Sequence, residues 1–225
     1  MGDKKWRSTK LWKLISNKET ESSKQVKGLL ENSDVMDKIE KILSKGSTSG
    51  KDFTLHDEEH SFRVAERMIE IIPKESIEIL SEYDLMMLLL SAYLHDIGMT
   101  PDYKKIHNYF VTLTTEDKTN LSNEEINELQ KWLDNENEEI DIRKEHLKDY
   151  NKAIELMTYF ARYKHNDWSE TWILENLSII TVPGYLKWQN DLINICKSHH
   201  YGLTELVKDK YDPKLLSGIC CHKVV

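Results

Sequence analysis

Apolar residues return at helical spacing along most of this 225-residue chain. Trp6, Leu11, Trp12, Leu14 and Ile15 stand among lysines and mark a short amphipathic helix within residues 1–30. Ser33 then precedes Met36, Ile39, Ile42 and Leu43, and Gly46 follows them, the order of an N-cap, an apolar helix face and a terminating glycine. Residues 47–51 read as a loop. Phe62, Ala65, Met68, Ile69 and Ile72 predict a helix over about 57–72, which Pro73 stops because proline has no N–H to continue it. The next helix, about 81–97, carries the run Leu85 to Leu94, is apolar on nearly every side and must be central. Ile154, Leu156, Met157 and Phe160 resume the amphipathic pattern, as do Tyr185, Leu186, Trp188, Leu192, Ile193 and Cys196. No internal repeat interrupts the series.

Composition agrees with an all-α domain. Eight Gly and four Pro are about 5% of the chain against a usual ~12%, too few for the turns that many short strands need. The net charge of −8 argues against a nucleic-acid partner. Between Thr115 and Tyr150 stand 12 acidic and 5 basic residues, a net of −7, so one segment holds nearly all the excess. Ser122-Asn123-Glu124-Glu125 inside it has the form of a capping box. The expected organisation is a helical extension over 1–50 and a helical domain over 51–225, with an acidic insertion at about 112–150. Three cysteines, Cys196, Cys220 and Cys221, and no signal peptide point to a reducing cytoplasm. The longest apolar run is about half the ~20 residues that span a bilayer, so no membrane partner is expected.

Against this helical background the pair His95-Asp96 stands out, placed where the apolar run gives way to Ile97-Gly98. Neighbours on a helix point about 100° apart. The two side chains therefore reach one site only at a helix end or by sharing two ions. His60, His165 and the doublet His199-His200 supply more imidazole. Imidazole nitrogen with carboxylate oxygen suits Mn, Fe, Co, Ni or Zn, as one ion or two.

These residues carry a resemblance. His60 in His60-Ser61-Phe62-Arg63-Val64 and His95-Asp96 in His95-Asp96-Ile97-Gly98-Met99 are similar to the signature of the HD superfamily of metal-dependent phosphohydrolases, H, then HD, then D on an all-helical scaffold. The blocks at 60–67, 93–99, 162–173 and 195–200 look most like bacterial HD domains found alone or fused to chaperone-like ATPases. The resemblance implies an HD-like helical bundle in which His60, His95 and Asp96 hold one ion and His165, His199 and His200 the other, with Asp96 bridging them as the central catalytic group. It also implies a small phosphorylated substrate, a nucleotide, cyclic nucleotide or other phosphoester. Arg63 and Arg162, each three residues from a ligand histidine, are assigned to its phosphate charge.

Two departures are visible. The family's last ligand, an aspartate in an apolar helix past the final histidine, has no counterpart before Val225, and Asp209 and Asp212 lie too early in a polar stretch. The chain is therefore expected to stop short of that ligand, to complete the site otherwise or to hold the first ion weakly, which leaves room for a downstream domain or a protein partner. Met99 in place of a lysine, with no GYP after the histidine doublet, separates the chain from HD-GYP phosphodiesterases.

Two rivals are weighed on the residues. His56-Asp57-Glu58-Glu59-His60 resembles the zincin HExxH, but that motif needs glutamate second as general base and Asp57 is a carbon shorter, so His56 is left out of the ligand set. A catalytically incomplete HD module that binds a nucleotide or regulates a partner is the alternative function. His107, His146 and His222 read as surface groups.

Overall fold

The computed structural model describes residues 4–32, 34–45, 56–100, 103–136, 150–178, 180–182, 185 and 187–201. Among them every regular element is helical and no strand occurs. The chain divides into two compact units, one of Met1–Ser47, Leu55–Thr100 and Asn166–Val225, the other of Thr48–Thr54 and Pro101–His165.

The first unit opens with a short 3-10 turn, Lys5–Ser8, then α1 (Lys10–Ser16), α2 (Glu21–Asn32) and α3 (Val35–Leu43). The Thr9 side chain accepts from the Trp12 N–H and fixes the start of α1. Asp34 precedes α3 at φ 54°, a left-handed position that aspartate tolerates better than most residues. The predicted cap Ser33 and stop Gly46 lie outside the described residues. α4 (Glu58–Ile71) and α6 (Glu82–Leu94) fall where the periodicity puts them, joined by α5 (Lys74–Ile79), which the sequence reading passes over.

α6 is the axis of this unit. A complete capping box starts it: Ser81 Oγ accepts from the Asp84 N–H while the Asp84 carboxylate accepts from Ser81 N–H at 2.8 Å. Leu85, Met86, Met87, Leu89, Leu90, Ala92, Tyr93 and Leu94 are all buried, because α1, α2, α4 and α10 (Trp188–Ser198) pack around it. The N-terminal helices are thus part of the core: Trp6, Leu11, Ile15, Met36 and Ile39 join it with no exposed surface. Polar contacts bind the same layer, including Lys5 with Glu59, Lys10 with Glu66 at 3.3 Å and Tyr83 Oη donating to Gln25 at 2.6 Å.

The second unit contains α7 (Tyr103–Thr115), α8 (Asn123–Glu136) and the first part of α9 (Tyr150–Leu177), whose remainder belongs to the first unit. The expected capping box is present, with the Ser122 N–H donating to Glu125 at 2.9 Å and the Glu125 N–H to Ser122 Oγ at 3.2 Å. Tyr109, Trp132 and Phe160 form its aromatic core, with ring centroids 4.9 and 5.2 Å apart. The acidic stretch therefore begins as packed helix, with Leu129 and Trp132 of α8 buried. No described helix is long and apolar enough to cross a membrane.

Candidate metal centre

Helix ends build the site. Asp57 caps α4, its carboxylate accepting from the His60 N–H at 2.9 Å; this places His56 just before the helix and His60 in its first turn. His95 is the last residue of the α6 turn, at φ −55° and ψ −37°, and Asp96 breaks from the helix at φ −113° and ψ 15°. That break removes the angular obstacle between the two side chains: His95 Nε2 lies 2.9 Å from Asp96 Oδ2. His199 closes α10, and His200 follows.

These side chains surround one carboxylate. Oδ2 of Asp96 faces His56 Nδ1 at 2.7 Å and His60 Nε2 at 3.6 Å, besides His95; Oδ1 faces His199 Nε2 at 3.2 Å. Successive imidazoles touch, with centroids 5.0 Å apart for His56 and His60, 5.5 Å for His60 and His95, and 5.1 Å for His95 and His199. His200 stacks edge-on against His199 at 4.1 Å. Asp96 itself is only 8% exposed.

The buried serine of α9, Ser169, fixes the turn that carries Asp96. Its hydroxyl accepts from the Gly98 N–H at 2.9 Å and donates to the His95 carbonyl at 3.2 Å. Two ligand candidates are oriented in the same way: His95 Nδ1 faces the Ala92 carbonyl at 3.2 Å, and His199 Nδ1 the Cys196 carbonyl. A carbonyl only accepts, so in each ring Nδ1 carries the hydrogen, and Nε2 of the neutral ring is left with a lone pair. Both lone pairs then point at a carboxylate that is itself an acceptor, a repulsive arrangement unless positive charge stands between them.

Without an ion, protons supply that charge. Burial alone raises the Asp96 carboxyl, yet hydrogen bonds from His199, His56, His60 and His95 overturn it and hold the group far below the carboxylate range. Burial alone lowers His199, but Asp96 and the Cys196 carbonyl outweigh it and raise the ring above its ordinary value. A divalent cation meets the same demand, and the donor chemistry fits one. The donor atoms of His56, His60 and Asp96 lie within 4.8 Å of one another, as do those of Asp96, His199 and His200.

A family model described as HD-CE matches residues 51–222. The chain belongs to the HD-CE family. No curated protein and no solved structure matches it. The HD resemblance read from His60 and His95-Asp96 is therefore the right one at the level of the family, and Asp96 is the residue on which His60, His95 and His199 converge.

The other candidates lie on α4, α7 and α9 or outside the described residues. His165 closes the second unit, buried in α9, with Nδ1 turned to the Arg162 carbonyl. Arg162 belongs to that unit too, whereas Arg63 stands exposed on α4. His107 is exposed on α7, and His146, Asp209, Asp212, Cys220, Cys221 and His222 lie outside the described residues. His56 is the residue the sequence reading passes over. Its spacing from His60 was visible, but HExxH geometry needs both histidines on one helix, and Asp57 is used here as the cap.

Proposed function

We propose that this HD-CE domain is a metal-dependent phosphohydrolase acting on a nucleotide, a cyclic nucleotide or another phosphoester. The observation that carries the reading is a buried carboxylate, Asp96, with its two oxygens turned toward different imidazoles. On this reading His60, His95 and Asp96 hold one ion and His165, His199 and His200 the other, with Asp96 bridging. The ions, when bound, supply Lewis acidity toward phosphate oxygens and a water whose pKa is lowered. The protein's own part is to place the Nδ1 hydrogen of His95 and His199 on the Ala92 and Cys196 carbonyls, so that Nε2 is the atom offered to an ion, and to hold Asp96 ionised. Arg63 is proposed to neutralise phosphate charge from the exposed side of α4, and Arg162 takes the same role on its place in the sequence pattern.

The experiment is turnover on a panel of phosphomonoesters, nucleotides and cyclic mono- and dinucleotides, with the purified chain loaded in turn with Mn, Fe, Co, Ni and Zn. Metal-dependent phosphate release is expected, and elemental analysis should find two ions. Asp96→Ala should lose both ions and lower turnover beyond the ~10–100-fold that outer-shell changes cause. Loss of a single ion would refute the bridging role. Nucleotide binding with no hydrolysis under any metal would favour the alternative of a sensing module.

A further inference from the structure

We infer that His56 is a ligand of the ion held by His60 and Asp96. The inference rests on the metal reading above and adds a residue to it.

Three ring nitrogens crowd a single oxygen: His56 Nδ1 at 2.7 Å, His95 Nε2 at 2.9 Å and His60 Nε2 at 3.6 Å from Asp96 Oδ2. A carboxylate oxygen offers about two lone-pair sites, so the three contacts cannot all be good hydrogen bonds. A cation among these atoms resolves the crowding, since it accepts electron density from the nitrogens and the oxygen together. The span of the donors suits one ion: those of His56, His60 and Asp96 fall within 4.8 Å, and metal–nitrogen and metal–oxygen bonds are each about 2.0–2.2 Å.

The backbone places His56 for this part. With Asp57 spent on the helix cap, the residue before it leaves the helix axis and its ring lies edge-on to His60, 65° between planes. Its side chain is 14% exposed, sheltered but reachable by an ion. Asp96 is the one residue common to the set His56, His60, Asp96 and the set that includes His199 and His200. His56 is thus what gives the first ion a donor set distinct from the second. Counting His95, that ion has three imidazoles and one carboxylate oxygen. A tetrahedral ion would be closed by four protein ligands. An ion held by all four would therefore need a further position to take a substrate oxygen.

The competing role is that of an outer hydrogen-bond donor, Nδ1–H to Oδ2, orienting Asp96 without touching metal. Co2+ titration of the full chain separates the two, read by chelator competition and by X-ray absorption at the cobalt edge. Wild type is expected to bind two Co2+. His56→Ala should weaken one of them by more than about 100-fold, above the outer-shell range, and lower the imidazole count per ion. His56→Asp, which offers a carboxylate oxygen instead, should recover much of the affinity. Thermal melting of the metal-free variants checks that they fold, and His56→Gln serves if the alanine variant does not. An unchanged imidazole count, whether affinity stays the same or falls within the outer-shell range, overturns the inference while leaving the metal reading intact. Wild type that binds no Co2+ overturns the metal reading itself, and this inference with it.

Discussion

Glu40 shows how a single residue outside the site sets a pH response. It sits half-buried on α3, accepting the Trp6 backbone N–H at 3.3 Å. Burial pushes its carboxyl up to about 7, against the Trp6 bond and the Lys4 charge, with Glu58 and Asp37 adding repulsion. The folded state therefore binds this proton more tightly than the unfolded chain does. The stability it contributes is present in full below about 4.5 and is lost as pH rises through about 7. Glu40→Gln should flatten that loss, worth about 1–2 kcal/mol once solvent screening of a half-exposed group is allowed for. Parallel thermal melts of wild type and variant at pH 5 and pH 8 measure it. Equal slopes would show that Glu40 titrates normally.

At the scale of elements, the site depends on where helices stop. α6 ends at His95, and Ser169 of α9 holds the ensuing turn by one bond to each side of Asp96. Ser169→Ala leaves the buried Gly98 N–H without its partner, which costs about 1–3 kcal/mol. The same change should weaken metal binding by about 10–100-fold, because the turn that aims Asp96 is loosened while every ligand remains. Denaturant unfolding and metal titration of the same variant read both effects. A variant with wild-type metal affinity would mean that α6 alone sets the angle of Asp96. The end of α6 and the start of α4 were legible from Ile97-Gly98 and from Asp57 before the apolar series. α7 was not, because Thr112, Thr114 and Thr115 blur its apolar face and the acidic residues follow at once.

For the whole molecule, an ion bound at the proposed site would link to folding of the first unit. The ligand candidates lie at the ends of α4, α6 and α10, separated by up to 144 positions in sequence, so the unfolded chain cannot present them together. An ion that binds only the folded state at 100 times its Kd adds about 2.7 kcal/mol. For a chain of this size that raises Tm by roughly 5–10 °C. A chelator should reverse the shift, and Asp96→Ala should abolish it. A wild-type Tm indifferent to Mn, Co and Zn would contradict a folded metal site. The N-terminal layer belongs to the same account, since Trp6, Leu11 and Ile15 cover the α6 core on which His95 and Asp96 are mounted.

The helical class, the central place of α6 and the pair His95-Asp96 with His60 and the His199-His200 doublet were determined by the sequence itself, because periodicity and residue chemistry are local properties. What only the tertiary structure decided is the company those residues keep. His56 looked like part of a failed zincin motif until the cap at Asp57 turned it toward Asp96. Trp6 to Leu43 looked like an extension until burial made it one wall of the core. Ser169, one polar residue among many on a long helix, became the clasp of the turn. In each case the deciding contact joins positions 40 or more residues apart, and such contacts form only when the helices pack, leaving no trace in local spacing.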